Sequence, residues 1–176
     1  MKYLKFINKF FAKHLLACNT VSSAVIMTTG DIIVQKITRP EEHQWDRTYK
    51  MGFVGATMGP LEHFFYKNLD IVFPKTDKRT VFKKIFADQT IAAPFFICSF
   101  FFLCNVWEKK PKESIDEIKA KFLDVYKVDL LVWPAAQYIN FLYLPPQYRV
   151  LYVSGISVIY TAFLSYIKHQ GLIFEK

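Results

Sequence analysis

Two stretches of this chain, Thr90 to Trp107 (TIAAPFFICSFFFLCNVW) and Val150 to Ile167 (VLYVSGISVIYTAFLSYI), each run for 18 residues without a charged side chain. That is the length a helix needs to cross the hydrocarbon core of a bilayer. In the first, nine Leu, Ile, Val or Phe residues at about −0.3 to −0.6 kcal/mol each favour insertion by roughly 3 to 5 kcal/mol, and Asp88 near the edge costs less than it would at the centre. Pro94 withholds one helical hydrogen bond, which predicts a kink there or a start of regular helix near it. Arg149 and Lys168 bracket the second run as snorkelling anchors.

Three weaker segments complete the pattern. Residues 15–37 form a span that carries Asp31 toward one end. In 51–73 the apolar character is interrupted by Glu62, His63, Lys67 and Asp70, while Gly55 and Gly59 stand at the GxxxG spacing that serves ordinary close helix packing. Residues 130–144 are uncharged but short and are closed by Pro145 and Pro146, so they make a short or tilted span in a hairpin with 150–167. Between the halves, 108–129 holds six lysines and six acids with Ile115, Ile118, Phe122, Leu123 and Tyr126 at helical spacing, an amphipathic connector without net charge. Residues 1–14 put Lys2, Lys5, Lys9 and Lys13 opposite Tyr3, Leu4, Ile7, Phe10 and Phe11. This predicts a retained interfacial helix rather than a cleaved leader, since Arg and Ser are scarce in it.

The predicted fold is all-α: one membrane domain over 1–176, a multispan transmembrane bundle of four or five segments with an amphipathic surface helix. Composition agrees, with 18 Phe and 10 Tyr to fill apolar helices and mark lipid boundaries. The formal charge of +8 is spread along the flanks of apolar runs, so it does not orient the protein and does not form the dense patch that direct nucleic-acid binding requires. Cys18, Cys98 and Cys104 form no CxxC pair and are expected as buried, inert thiols.

Catalytic chemistry finds no support. There is no GxGxxG, phosphate loop, HExxH or nucleophile elbow, and the four histidines are far apart; no catalytic, cofactor or metal residues are assigned. The informative polar groups are those inside the spans: Asp31, Gln35, Glu62, His63, Lys67, Asp88, Gln89, Gln137 and Asn140. Asp31 with Gln35, and His63 with Lys67, share a helix face at i,i+4. Three readings stand for this set: a hydrogen-bonded network joining helices, a solute path, and groups lying at the interface.

The block WPAAQYINFLYLPPQYR at residues 133 to 149 resembles the signature of the Mpv-17 / peroxisomal membrane protein family, a pattern of Trp-Pro, Gln, Asn-Phe, Pro and Arg. Gly30-Asp31 with Gln35, Gly59-Pro60 before Tyr66 and Asp70, Asp88-Gln89 with Pro94, and Leu164-Ser165-Tyr166 extend the resemblance over nearly the whole chain. Trp133 to Gln137, the double proline, and Met58-Gly59-Pro60 with His63 look most like the Mpv-17-like protein 2 branch. Tyr160 departs from the family's usual Trp.

The resemblance implies a multispan protein of the mitochondrial inner membrane that supports mitochondrial ribosome assembly and translation as a scaffold. The alternative is a non-selective small-solute channel of a mitochondrial or peroxisomal membrane. Partners on this reading are membrane lipid, the mitochondrial ribosome or its assembly factors, and a second copy of the chain. Trp133, Pro134, Gln137, Asn140, Phe141, Pro145 and Arg149 are expected to shape the last hairpin: the prolines fix its ends, Gln137 and Asn140 bond across helices, and Arg149 anchors at the head groups.

Overall fold

The computed structural model describes residues 14–75, 77–143 and 146–170, with backbone alone at 140–142 and 146–151. The predicted 1–14 helix, Pro145, and the side chains of Asn140, Phe141 and Arg149 lie outside the described residues, apart from His14.

The described residues form five helices and no strand: α1 Leu15–Thr38, α2 Trp45–Val72, α3 Lys78–Trp107, α4 Ser114–Leu142 and α5 Pro146–Gln170. Each helix packs against its neighbours in sequence, and the last returns to pack on the first, so the five close into a ring. Met27, Met51, Val54, Met58, Phe100, Phe101 and Leu164 are buried between them. The outward faces are also apolar: Val21, Val25, Phe86, Leu131 and Ile159 are exposed, a distribution that water would penalise and lipid covers.

Among the described residues, α1 and α3 are long and apolar enough to cross a membrane, and α5 carries the uncharged run 150–167. Helix α3 changes its winding at Pro94: residues Asp88–Ala92 form a π turn, with the Ala93 N–H donating to the Asp88 carbonyl, and regular α-helix resumes at Ala93. Proline has no N–H to offer the carbonyl four residues back and its ring crowds that carbonyl, so the wider turn lies next to it.

The expected connector 108–129 and the expected span 130–144 are halves of one helix, α4. No breaker separates them; only the side-chain pattern changes, from charged to apolar, after Asp129. Ile118, Phe122 and Tyr126 pack on the core, whereas Ile115 and Leu123 face outward. Pro134 lies inside α4 rather than at an end of the hairpin.

Close helix approach is set by glycine. A Cβ at Gly55 would meet the Ser23 carbonyl at 2.5 Å, and one at Gly59 would meet the Thr20 Cα at 2.7 Å, so the GxxxG pair is where α2 touches the backbone of α1. Gly30 does the same for α1 against Thr161 and Ala162 of α5. A Gly55→Leu chain is expected to lose about 1–3 kcal/mol from overpacking. Gly155→Ala, whose Cβ would meet nothing within 4 Å, is expected to gain a few tenths to about 1 kcal/mol through helix propensity. Thermal unfolding in detergent measures both, and equal effects would contradict the packing account.

Candidate functional site

Polar side chains in the ring separate into three groups. The first joins the end of α1, the start of α2 and the end of α5. Asp31 is 0% exposed, and its Oδ1 accepts from Arg47 Nε at 2.7 Å and from Ser165 Oγ at 2.7 Å. Arg47 Nη2 also donates to Ser165 Oγ at 2.9 Å. Asp31 Oδ2 accepts from Gln35 Nε2 at 2.7 Å and Thr48 Oγ1 at 2.8 Å. Gln35 Oε1 in turn accepts from the Gln44 N–H at 2.6 Å, which secures the turn into α2. A buried carboxylate is tolerable only when a cation and several donors surround it, and here both are present.

Next to this clamp is an ion cluster linking the end of α3, the start of α4 and the end of α5. Lys168 Nζ lies 2.8 Å from Glu117 Oε2 and 3.1 Å from Glu108 Oε2, Lys121 Nζ lies 2.8 Å from Glu117 Oε1, and His169 Nε2 lies 3.5 Å from Glu108 Oε1. Lys168 is therefore not the snorkelling anchor expected from its position after a span: its ammonium turns inward to two carboxylates. Burial by itself would raise the Glu108 carboxyl, but hydrogen bonds from His169 and Lys168 outweigh it and hold the group at about 2.

The third group surrounds a cavity of about 380 Å³ to which all five helices contribute. Three carboxylates stand on its wall. Glu62 Oε2 accepts from Ser23 Oγ at 2.9 Å, Asp88 Oδ1 from the Tyr66 hydroxyl at 2.7 Å, and Asp129 Oδ1 from the Tyr160 hydroxyl at 2.7 Å. Among the described residues, no lysine, arginine or histidine lines this cavity. Gln89 Nε2 supports Asp88 Oδ2 at 3.1 Å, and the Gln89 carbonyl accepts from Tyr126 at 3.0 Å. Trp133 and Gln137 are also on the wall, and the Trp133 ring meets Tyr160 edge-on at 5.5 Å.

A wider cavity of about 940 Å³ adjoins the first at the start of α1 and the end of α2, and Ser23, Ile26, Glu62 and Tyr66 line both. His63, Lys67 and Asp70 line the outer one; His63 Nδ1 lies 3.1 Å from Asn19 Nδ2, and Asp70 pairs with Lys84 at 2.6 Å.

The predicted polar set is thus divided. Asp31 and Gln35 belong to the clamp, Glu62, Asp88 and Gln137 to the inner wall with Gln89 behind it, and His63 and Lys67 to the outer cavity. Sequence reasoning missed Arg47, Thr48 and Ser165 as partners of Asp31, and Tyr66, Asp129 and Tyr160 around the cavity. A signal for Asp129 existed: with Trp133 and Gln137 it forms an i, i+4, i+8 line on one helix face.

Residues 105–165 match the model of the Mpv17 / PMP22 family. PXMP2/4 family protein 2 of Dictyostelium discoideum is 33% identical over 88% of this chain and 84% of its own length. The chain belongs to the Mpv17 / PMP22 family. The mitochondrial inner membrane protein Mpv17 of Drosophila melanogaster is 34% identical, over 84% of this chain and 92% of its own. Protein sym1 of Aspergillus oryzae is 31% identical over 89% and 92%. No solved structure matches the chain. By these relationships it is a protein of the mitochondrial inner membrane.

The stretch matching the Mpv17 / PMP22 family runs from Asn105 to Ser165 and so includes Glu108, Glu117, Asp129, Trp133, Tyr160 and Ser165, members of all three groups. The Tyr160 phenol hydroxyl supplies the donor that bonds Asp129.

Removing one partner of the buried Asp31–Arg47 pair is expected to cost about 3–5 kcal/mol. Asp31→Asn and Arg47→Met should therefore each lower the unfolding midpoint strongly, and the double variant by less than their sum, as a double-mutant cycle of thermal unfolding would show. The folded Glu108 carboxyl is held at about 2, below its ordinary 4.5. The stability it contributes is complete above about pH 4.5 and is lost as pH falls from there toward 2. Glu108→Gln should lower the midpoint at pH 7 and flatten its decline below pH 4.5; an unchanged acid limb would remove Glu108 from that role.

Proposed function

We propose that this protein handles small solutes at the mitochondrial inner membrane, admitting them through the outer cavity to the acidic cavity at the centre of the helix ring. The observation that carries the reading is the shared wall: Ser23, Ile26, Glu62 and Tyr66 line both cavities. Ionisable side chains inside a membrane bundle either pair with one another or face a water-filled cavity, since hydrocarbon offers them no solvation, and Glu62, Asp88 and Asp129 line the inner cavity. The opposite end of the ring is filled by the Asp31 clamp and the Lys168 cluster, so on this reading passage requires those contacts to part.

Purified protein in planar bilayers or liposomes tests the reading. A conductance or solute leak is expected, and Glu62→Gln, at the junction of the cavities, should change its size or ion preference at least severalfold. Tight liposomes with well-folded protein, or Glu62→Gln currents identical to the parent, would remove the path.

A second reading is the scaffold for mitochondrial ribosome assembly that the Mpv-17-like protein 2 resemblance suggests. It is favoured by the exposed Lys75, Lys78, Arg79 and Lys83 around the start of α3, which suit an anionic surface. On that reading the protein co-migrates with a ribosomal subunit in a sucrose gradient of digitonin lysate and loses this position when RNA is digested; a light, ribosome-free peak would discard it.

A further inference from the structure

The inner cavity is chemically one-sided in a way that a non-selective path does not need. Glu62, Asp88 and Asp129 stand on its wall, and among the described residues no cationic side chain does. Asp129 is 4% exposed, and its Oδ2 is buried without a hydrogen-bond partner. Burying carboxylates is costly unless positive charge accompanies them, and the protein provides that charge to Asp31, through Arg47, but not to this group. A cation bound from outside would offset these carboxylates, as protonation also does.

The remaining wall says which kind of cation. Tyr66, Phe96, Phe100, Trp133 and Tyr160 contribute rings, whose faces attract an ammonium group, Trp most strongly. About 380 Å³ is the size of a small-molecule site. A bare metal ion would need several oxygens converging on one point, yet among the described residues no three His, Cys, Asp or Glu side chains come close enough to hold one. Two of the carboxylates already each spend an oxygen on a tyrosine hydroxyl.

We propose that the inner cavity is a binding site for an alkylammonium ion, its charged nitrogen held by Asp129 with Glu62 and Asp88 near and its carbon body against Trp133 and Tyr160. The proposal deepens the solute-path reading, taking the cavity from it and naming the solute class.

The test uses the full-length protein in nanodiscs, titrated with butylammonium, tetramethylammonium or potassium chloride at constant ionic strength, with thermal unfolding and tryptophan fluorescence as readouts. Butylammonium is expected to bind saturably, at least tenfold more tightly than potassium. Asp129→Asn and Glu62→Gln should each weaken it by about tenfold, and Trp133→Phe should remove most of the fluorescence change while keeping the thermal shift. Glu62→Gln provides the result where Asp129→Asn does not fold. Equal responses to butylammonium and potassium, or unaltered affinity in the folded carboxylate variants, would overturn the site. Liposome flux keeps the two claims apart: saturable binding with no flux refutes the path and leaves the site, whereas flux without saturable binding refutes the site and leaves the path.

Discussion

The Asp31 carboxylate is the constraint on which the ring depends. A charge on an apolar helix, with no exposure to solvent, is stable only where a cation and enough donors are brought to it. Arg47 and Thr48 come from the start of α2 and Ser165 from the end of α5. Satisfying one carboxylate therefore fixes the helix that follows α1 and the helix farthest from it in sequence, and this brings the last helix back to the first.

Packing and polarity then reinforce each other. Gly30 lets α1 approach Thr161 and Ala162 one turn of α5 away from Ser165, while Gly55 and Gly59 draw the body of α2 onto α1. The clamp would fail if those backbones stood farther apart, because its bonds of 2.7 to 2.9 Å tolerate little slack. With both in place, Arg47 and Lys168 meet their carboxylates at one end of the ring, and the described lining of the central cavity is left with acids and rings. The electrostatic asymmetry of the interior follows from where the arginine and lysine are used.

Much of the helix plan could be read along the chain. Uncharged runs of bilayer length marked α3 and α5, a weaker apolar run carrying Asp31 marked α1, and the Gly55–Gly59 spacing marked a close approach. Pro94 announced a disturbance that takes the form of the π turn at Asp88–Ala92. The join between 108–129 and 130–144 was not legible, because a change from charged to apolar side chains resembles a boundary even where the backbone hydrogen bonds continue. Lys168 was misread for a related reason: after an apolar run, a lysine has the same sequence appearance whether it reaches lipid head groups or turns back to Glu108 and Glu117.

The sequence by itself determined the class of structure, an all-helical membrane protein, because hydrophobic run length and charge placement act locally along one chain. It also singled out Asp31, Gln35, Glu62 and Asp88, because an ionisable or amide group in an apolar run is conspicuous without its partners. Only the tertiary structure decided what those groups do. Asp31 lies 134 positions from Ser165, and Glu62, Asp88 and Asp129 lie on three different helices. Whether a buried carboxylate is neutralised within the protein or left facing a cavity depends on which distant side chains the ring closure brings within hydrogen-bond reach, and that distance is a property of the packed helices.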